Sequence, residues 1–70
     1  MFNISEHASL RMKQRGITEE DVQYCFDHHN IAFTPKEGYT LYIANHPNGR
    51  RLQIVVNPEN NDLVTALWLD

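Results

Sequence analysis

The stretch YTLYIANHPNGRRLQIVVN, residues 39–57, decides the fold class. Two runs rich in β-branched and aromatic side chains flank a short polar segment, a composition typical of neighbouring strands. That segment contains Asn48 and Gly49, and Asn-Gly favours a tight hairpin turn because both residues tolerate positive φ. The stretch therefore predicts an antiparallel β-hairpin.

The hairpin is flanked by further β-rich runs. IAFT at residues 31–34 precedes the turn-like segment PKEG, and the run LVTALWL at residues 63–69 directly follows the turn-like segment PENND. FNIS at residues 2–5 is a candidate first strand. Since short runs joined by short turns pair with their neighbours, we expect an antiparallel sheet of three to four strands.

Two helices are predicted before the sheet. Ser5 is a good N-cap for a first helix that runs to Gln14 or Arg15, and Gly16 follows where a left-handed residue closes a helix. Thr18 caps the second helix, whose acidic first turn suits the helix dipole. Apolar spacing places a core-facing stripe along it: Val22, Cys25, Phe26 and His29.

The element order, helices first and strands after, predicts an α+β fold in a single domain, residues 1–70, with two N-terminal helices packed on the antiparallel sheet. The helical stripe and the strand after the hairpin turn supply the expected core: Val22, Cys25, Phe26, Leu52, Ile54 and Val56.

Composition narrows the class of protein. The chain has 70 residues, a net charge of −3 and one cysteine, so no internal disulfide can form. A lone cysteine, no signal-peptide pattern and no apolar run of about 20 residues predict a cytoplasmic protein without a membrane partner. A core this small also favours association with further copies or with another protein. The acidic balance argues against general nucleic-acid binding but leaves a local basic site open.

Such a local site is suggested by His7, Arg11 and Arg15, which recur every fourth residue and share one side of the first helix. Glu6, Ser9 and Lys13 gather on the opposite side, so the row points toward the body of the protein or along its edge. Two interpretations follow: the arginines pair with acidic residues such as Asp21 or Asp27, or the row binds an anion.

Other candidate groups give weaker indications of a functional site. Cys25 and His29 have half of a metal-ligand spacing without a second pair, so we expect no metal and no cofactor. Arg50 and Arg51 follow the hairpin turn and point to opposite sheet faces, so one of them can join the anion-binding row. His46 lies in the turn, where we expect it to be exposed.

The motif HASLRMKQRGIT, the acidic helix start, the β-rich middle and the LVTALW ending together resemble a family of small bacterial and phage proteins labelled as a domain of unknown function. Its signature is H-A-x-x-R-x-x-x-R-G-I, and the resemblance covers nearly the whole chain. That family is placed near the barnase, colicin and RelE-like ribonuclease folds, where N-terminal helices pack on an antiparallel sheet.

The resemblance implies a metal-independent ribonuclease, including toxins of toxin–antitoxin pairs. It carries site roles onto His7, Arg11 and Arg15, and it adds Thr65 in the last strand. RNA and an antitoxin or other protein partner are the expected partners.

Two hypotheses about function remain at the level of sequence, beside a third interpretation in which the row is fully paired internally and the chain is a structural domain with no site. In the first, His7 exchanges protons while the two arginines stabilise phosphate charge during RNA cleavage. In the second, the same row serves a non-catalytic module that binds a protein or an anion.

Overall fold

The computed structural model describes residues 2–36 and 38–69, and in this part of the chain two helices lie between a short first strand and four longer ones. In chain order the elements are β1 Asn3–Ile4, α1 Glu6–Arg15, α2 Glu19–Asp27, β2 Ile31–Lys36, β3 Tyr39–Asn45, β4 Arg51–Asn57 and β5 Asp62–Trp68. The α+β class and the order of the elements are as predicted.

The sheet differs from the expected one in size and in strand direction. Its order is β1-β5-β4-β3-β2, so five strands pair where three to four were predicted. β2 to β5 form the antiparallel part, whereas β1 pairs parallel to β5 through Asn3 with Asp62 and Ile4 with Leu63. A wholly antiparallel sheet was therefore wrong. The strand β1 has only two residues, which is too short to show a periodic pattern. Its parallel pairing therefore could not be predicted from the sequence.

Local capping explains both helices as the sequence predicted. The Ser5 side chain accepts from the backbone of Ala8, and Thr18 and Asp21 form a reciprocal capping box. Gly16 adopts a left-handed φ of 68°, and the N–H groups of Gly16 and Ile17 bond back to the last turn of α1. This closure satisfies carbonyls that a helix end leaves free and turns the chain directly into α2.

Both helices pack on one face of the sheet. α1 lies against β5, and α2 lies against β3 and β4. The core between the layers is formed by Phe2, Met12, Ile17, Val22, Cys25, Ala44, Leu52, Ile54, Val56, Leu63 and Ala66.

Five of the six predicted core residues are buried, but Phe26 is 37% exposed and was wrongly placed in the core. It lies in the last turn of α2, where its ring contacts Phe2 and Tyr42 while part of it faces solvent. His29 follows the end of the helix and is also exposed. The apolar spacing thus extends one turn beyond the surface that the sheet covers.

Among the described residues, no helix has the length and apolar character needed to cross a membrane.

Cys25 is fully buried, with its thiol near the carbonyl oxygens of Leu52 at 3.3 Å and Tyr42 at 3.6 Å. Burial, only partly offset by backbone hydrogen bonds, raises the pKa of the Cys25 thiol to about 11. Since the thiolate is the reactive form, we expect the folded protein at pH 8 to react with a disulfide reagent at least about a hundredfold more slowly than an unfolded thiol.

Absorbance of the released thiolate measures this reaction, with the protein in denaturant as the matched control. One thiol should appear in denaturant. Equal rates in the two states would contradict the burial of Cys25.

Candidate functional site

The predicted row follows one side of α1 but divides into two environments. His7 and Arg11 are exposed, and within residues 2–36 and 38–69 neither side chain forms a hydrogen bond, ion pair or ring contact. Arg15, one further turn along, is half-buried. The side chains of the row therefore change from exposed at His7 and Arg11 to half-buried against the sheet at Arg15.

Arg15 is anchored to β5 through a single nitrogen of its guanidinium. Nη1 donates to the carbonyl oxygen of Ala66 at 2.9 Å and to the hydroxyl of Thr65 at 3.4 Å. The structure thus brings Arg15 and Thr65 together, 50 residues apart in the chain. Both acceptors are neutral oxygens, so these contacts orient the guanidinium without cancelling its charge.

The free edge of β5 provides this anchor. β1 pairs with β5 only at Asp62 and Leu63, so no strand covers this edge from Thr65 onward. Leu69 N–H bonds to Arg51 on the β4 side, and strand alternation then points the Ala66 carbonyl to the free edge. Arg15 supplies the donor that a neighbouring strand would otherwise give.

The connection also runs from β5 back to the helix. The indole Nε1 of Trp68 donates to the backbone carbonyl of Arg15 at 2.8 Å. This carbonyl belongs to the last turn of α1, where intrahelical donors are missing. The end of α1 is therefore held on β5 by hydrogen bonds in both directions, which sets where the row lies.

Arg50 and Arg51 separate as expected. The Arg50 guanidinium carbon lies 4.7 Å from the centre of the Trp68 ring, within cation–π range, on the side of the sheet that carries the helices. Arg51 is exposed and alternates with buried Leu52, so it belongs to the opposite face. The structure thus brings Arg50 next to the residue that holds Arg15, and it does not bring Arg51 there.

The predicted alternative, in which Arg11 or Arg15 pairs with an acidic residue such as Asp21 or Asp27, is not found among the described residues. Asp21 contacts His46, whose Nε2 lies 2.7 Å from Asp21 Oδ1. Asp27 instead accepts a hydrogen bond from Gln23. The positive charges of Arg11 and Arg15 therefore have no carboxylate partner in this part of the chain.

His46 was expected to be exposed, and this was wrong: its side chain is only 15% exposed. Its Nε2 contacts Asp21, and its Nδ1 accepts from the backbone N–H of Asn48 at 3.1 Å. The ring also meets the edges of Tyr24 and Trp68. With both nitrogens engaged, His46 ties the hairpin turn to the first turn of α2.

Asp21 is the counterpart of His46 and titrates abnormally. Burial alone would raise its pKa, but hydrogen bonds from the Thr18 backbone, His46 and the Thr18 side chain, together with the His46 charge, outweigh burial and lower it.

Sequence reasoning missed the Asp21–His46 pair and the Trp68–Arg15 bond. Asp21 lies in the acidic first turn of α2, and Trp68 packs against the core. Their partners lie 25 and 53 residues away, so no spacing within one element could reveal them.

No group of three or more histidine, cysteine or acidic side chains in the described ranges is placed to hold a metal ion. Cys25 lies in the core, while His29 is exposed with its Nδ1 2.7 Å from the carbonyl oxygen of Phe26.

Comparison with known proteins places the chain in a family. The sequence profile described as Domain of unknown function (DUF4258) matches residues 4–68, so the chain belongs to this family. No curated protein and no solved structure matches the chain.

Replacing Arg15 should destabilise the fold, whereas replacing Arg11 should not. Arg15→Met keeps the aliphatic stem but leaves the Ala66 carbonyl without its donor, and we expect a loss of about 1–2 kcal/mol in the free energy of unfolding. Arg11→Met, on the same helix, should change it by less than about 0.5 kcal/mol. Urea denaturation followed by tryptophan fluorescence measures both, and equal losses would contradict the anchoring of Arg15.

The lowered pKa of Asp21 predicts how the stability of the fold depends on pH. Because its folded pKa is lowered, the unfolded state binds more protons and stability falls as the pH drops through and below about 4. The stability advantage of the wild type over Asp21→Asn should therefore shrink between pH 6 and pH 3 in thermal or urea melts. Asp27→Asn is the matched control, because Asp27 lies on the same helix and accepts its hydrogen bond from Gln23 rather than from Thr18 or His46.

Proposed function

We propose that this member of the DUF4258 family binds RNA through the His7–Arg11–Arg15 row and cleaves its backbone without a metal ion. One observation carries the proposal: a half-buried arginine is oriented by neutral oxygens, and no carboxylate of residues 2–36 and 38–69 pairs with its charge. A guanidinium in this state is suited to an anionic ligand.

The geometry of Arg15 supports phosphate binding in particular. Nη1 uses both of its N–H groups on β5, and the N–H groups on Nε and Nη2 donate to no described protein atom. Nε and Nη2 form the edge that binds two oxygens of one phosphate side by side. Since the anchor has already restricted the side chain, less conformational entropy is lost when the anion binds.

Arg11 and His7 extend this site toward solvent. Successive members of the row are four residues apart, which corresponds to about 6 Å along the helix axis. Arg11 is exposed and can follow a flexible RNA strand, while His7 at the first turn supplies an imidazole. Imidazole is the side chain that exchanges a proton near neutral pH.

The proposed reaction is an internal transfer at phosphorus. His7 takes the proton of the ribose 2′-hydroxyl, the 2′-oxygen forms a bond to phosphorus, and the bond from phosphorus to the 5′-oxygen breaks. The leaving 5′-oxygen receives a proton from the His7 imidazolium or from water, and the products are a 2′,3′-cyclic phosphate and a free 5′-hydroxyl. Arg11 and Arg15 stabilise the charge that builds on the phosphoryl oxygens.

Thr65 and Arg50 have supporting places in this proposal. Thr65 orients Arg15 through its hydroxyl and acts as a positioning residue. Arg50 adds positive charge beside Trp68, at the end of the row. Arg51 lies on the other sheet face and has no place in the site.

The acidic net charge of the protein does not oppose local binding. At physiological ionic strength the Debye length is about 8 Å, so carboxylates farther away are largely screened from the phosphate.

A second candidate, an anion-binding module without catalysis, is favoured by the placement of the histidines. His7 is the one proton-transfer group on the row, and His46 has both ring nitrogens engaged. Efficient cleavage of RNA commonly uses an acid and a base.

Cleavage of a fluorescent oligoribonucleotide in EDTA tests the proposal, with its 2′-deoxy analogue as substrate control. We expect a cyclic phosphate product from RNA alone. His7→Ala should lower the rate by about 10²-fold or more, and Arg11→Ala by a similar factor. Lys13→Ala is the matched control, because Lys13 lies about 160° from Arg11 and Arg15 around the same helix.

Two results would decide against cleavage. Equal binding of both oligonucleotides with no product would support the non-catalytic candidate. Absence of binding, or an equal loss in Lys13→Ala, would contradict the site itself. Growth arrest on expression of the wild type but not of His7→Ala would support a toxin that requires an antitoxin partner.

A further inference from the structure

The face of the sheet opposite the helices, here called the open face, is covered by no helix within the described residues. Cross-strand registers place its side chains in two rows. The first row is Ile31, Ile43, Gln53 and Leu67, and the second row is Phe33, Leu41, Val55 and Thr65.

The open face is unusually apolar for a surface. Six of the eight side chains in its rows are apolar and none is charged. Ile31 is 45% and Phe33 48% exposed, and Val64 beside the rows is 45% exposed. In antiparallel sheets with one solvated face, polar residues normally occupy that face. A contiguous apolar patch of this kind marks an interaction surface.

We propose that the open face is the interface of a symmetric dimer, in which a second copy of this chain packs face to face on the first. The inference goes beyond the proposed RNA chemistry, because α1 lies on the other side of the sheet and Arg15 reaches the open face only at its edge, through the hydroxyl of Thr65.

The area of the open face fits a second copy. Four strands of about seven residues span roughly 20 × 20 Å, or about 400 Å² in projection. The accessible surface is larger than this, because the side chains project from the sheet. Specific interfaces bury about 600–1,000 Å² per partner, so the whole face and its rim are needed. Two sheets packed about 10 Å apart use such faces completely, as in a β-sandwich.

The charges at the ends of the open face select one orientation. Arg51 lies at the start of β4, and Asp62 lies at the opposite end, paired in register with Asn57. A two-fold axis along the strands would place Arg51 over Arg51 of the second copy. A two-fold axis across the strands instead brings Arg51 of the first copy close to Asp62 of the second copy. By symmetry, Asp62 of the first copy then lies close to Arg51 of the second copy at the other end of the face.

This second orientation also suits the rows. Reversing the strand direction lays the first row of each copy over the second row of the other. Gln53 then faces the row that contains Thr65, whose hydroxyl accepts from Arg15 and can donate its own proton to the amide oxygen of Gln53. Ile31 and Ile43 meet Phe33 and Leu41, so apolar side chains bury one another.

Sedimentation equilibrium of the full chain tests the proposal. We expect the wild type to dimerise with a dissociation constant in the micromolar range, since the buried area is at the lower end for specific complexes. Phe33→Glu should raise this constant at least about tenfold, because it places a carboxylate between the sheets. Leu10→Glu is the matched control: Leu10 is 54% exposed on α1, and its replacement should leave the constant unchanged.

Charge exchange tests the orientation. Arg51→Asp and Asp62→Arg should each weaken the dimer about three- to tenfold, and combining them should restore it. Thermal melts must show that each variant remains folded, and Phe33 is exposed enough that its replacement should preserve the fold.

A wild type that stays monomeric at millimolar concentration would overturn the proposal and leave the open face for a different protein. A dimer that is insensitive to Phe33→Glu would overturn it as well. Loss of dimerisation in the double charge variant would contradict the proposed orientation.

Discussion

The reciprocal bonding between the end of α1 and β5 is the constraint on which the arrangement of the site depends. Arg15 donates to β5 through its side chain, and its carbonyl accepts from Trp68. The burial of Ala8 and Met12 also holds α1 on the sheet, but apolar contact has no preferred direction. The two polar bonds are directional, so they decide which side of the helix meets solvent.

Trp68 connects this constraint to the rest of the fold. Its ring packs against the core, meets His46 edge-on and lies under Arg50. His46 in turn holds Asp21 at the start of α2. One indole ring therefore links the end of α1 and the hairpin turn, and through His46 it is linked to the start of α2. These contacts fix the relative positions of the three segments although the core is small.

The sequence predicted those parts of the molecule that depend on neighbouring residues. Caps at Ser5 and Thr18, closure at Gly16 and the Asn48-Gly49 turn are local, and each is present. The parallel pairing of β1, the ion pair of His46 and the anchor of Arg15 involve contacts between distant residues, which periodicity cannot encode. The resemblance to a family gave both Arg15 and Thr65 as expected site residues, while only the fold shows that these two side chains contact each other.

The anchor of Arg15 also has a consequence for the order of events during protein synthesis. α1 and Arg15 leave the ribosome early, but Thr65, Ala66 and Trp68 all lie in β5, the last strand of the described fold. Until β5 has been translated and has inserted between β1 and β4, the guanidinium has no support and α1 has no surface to cover. The nascent chain therefore carries the cationic residues long before it carries an oriented site, and assembly of that site coincides with completion of the sheet.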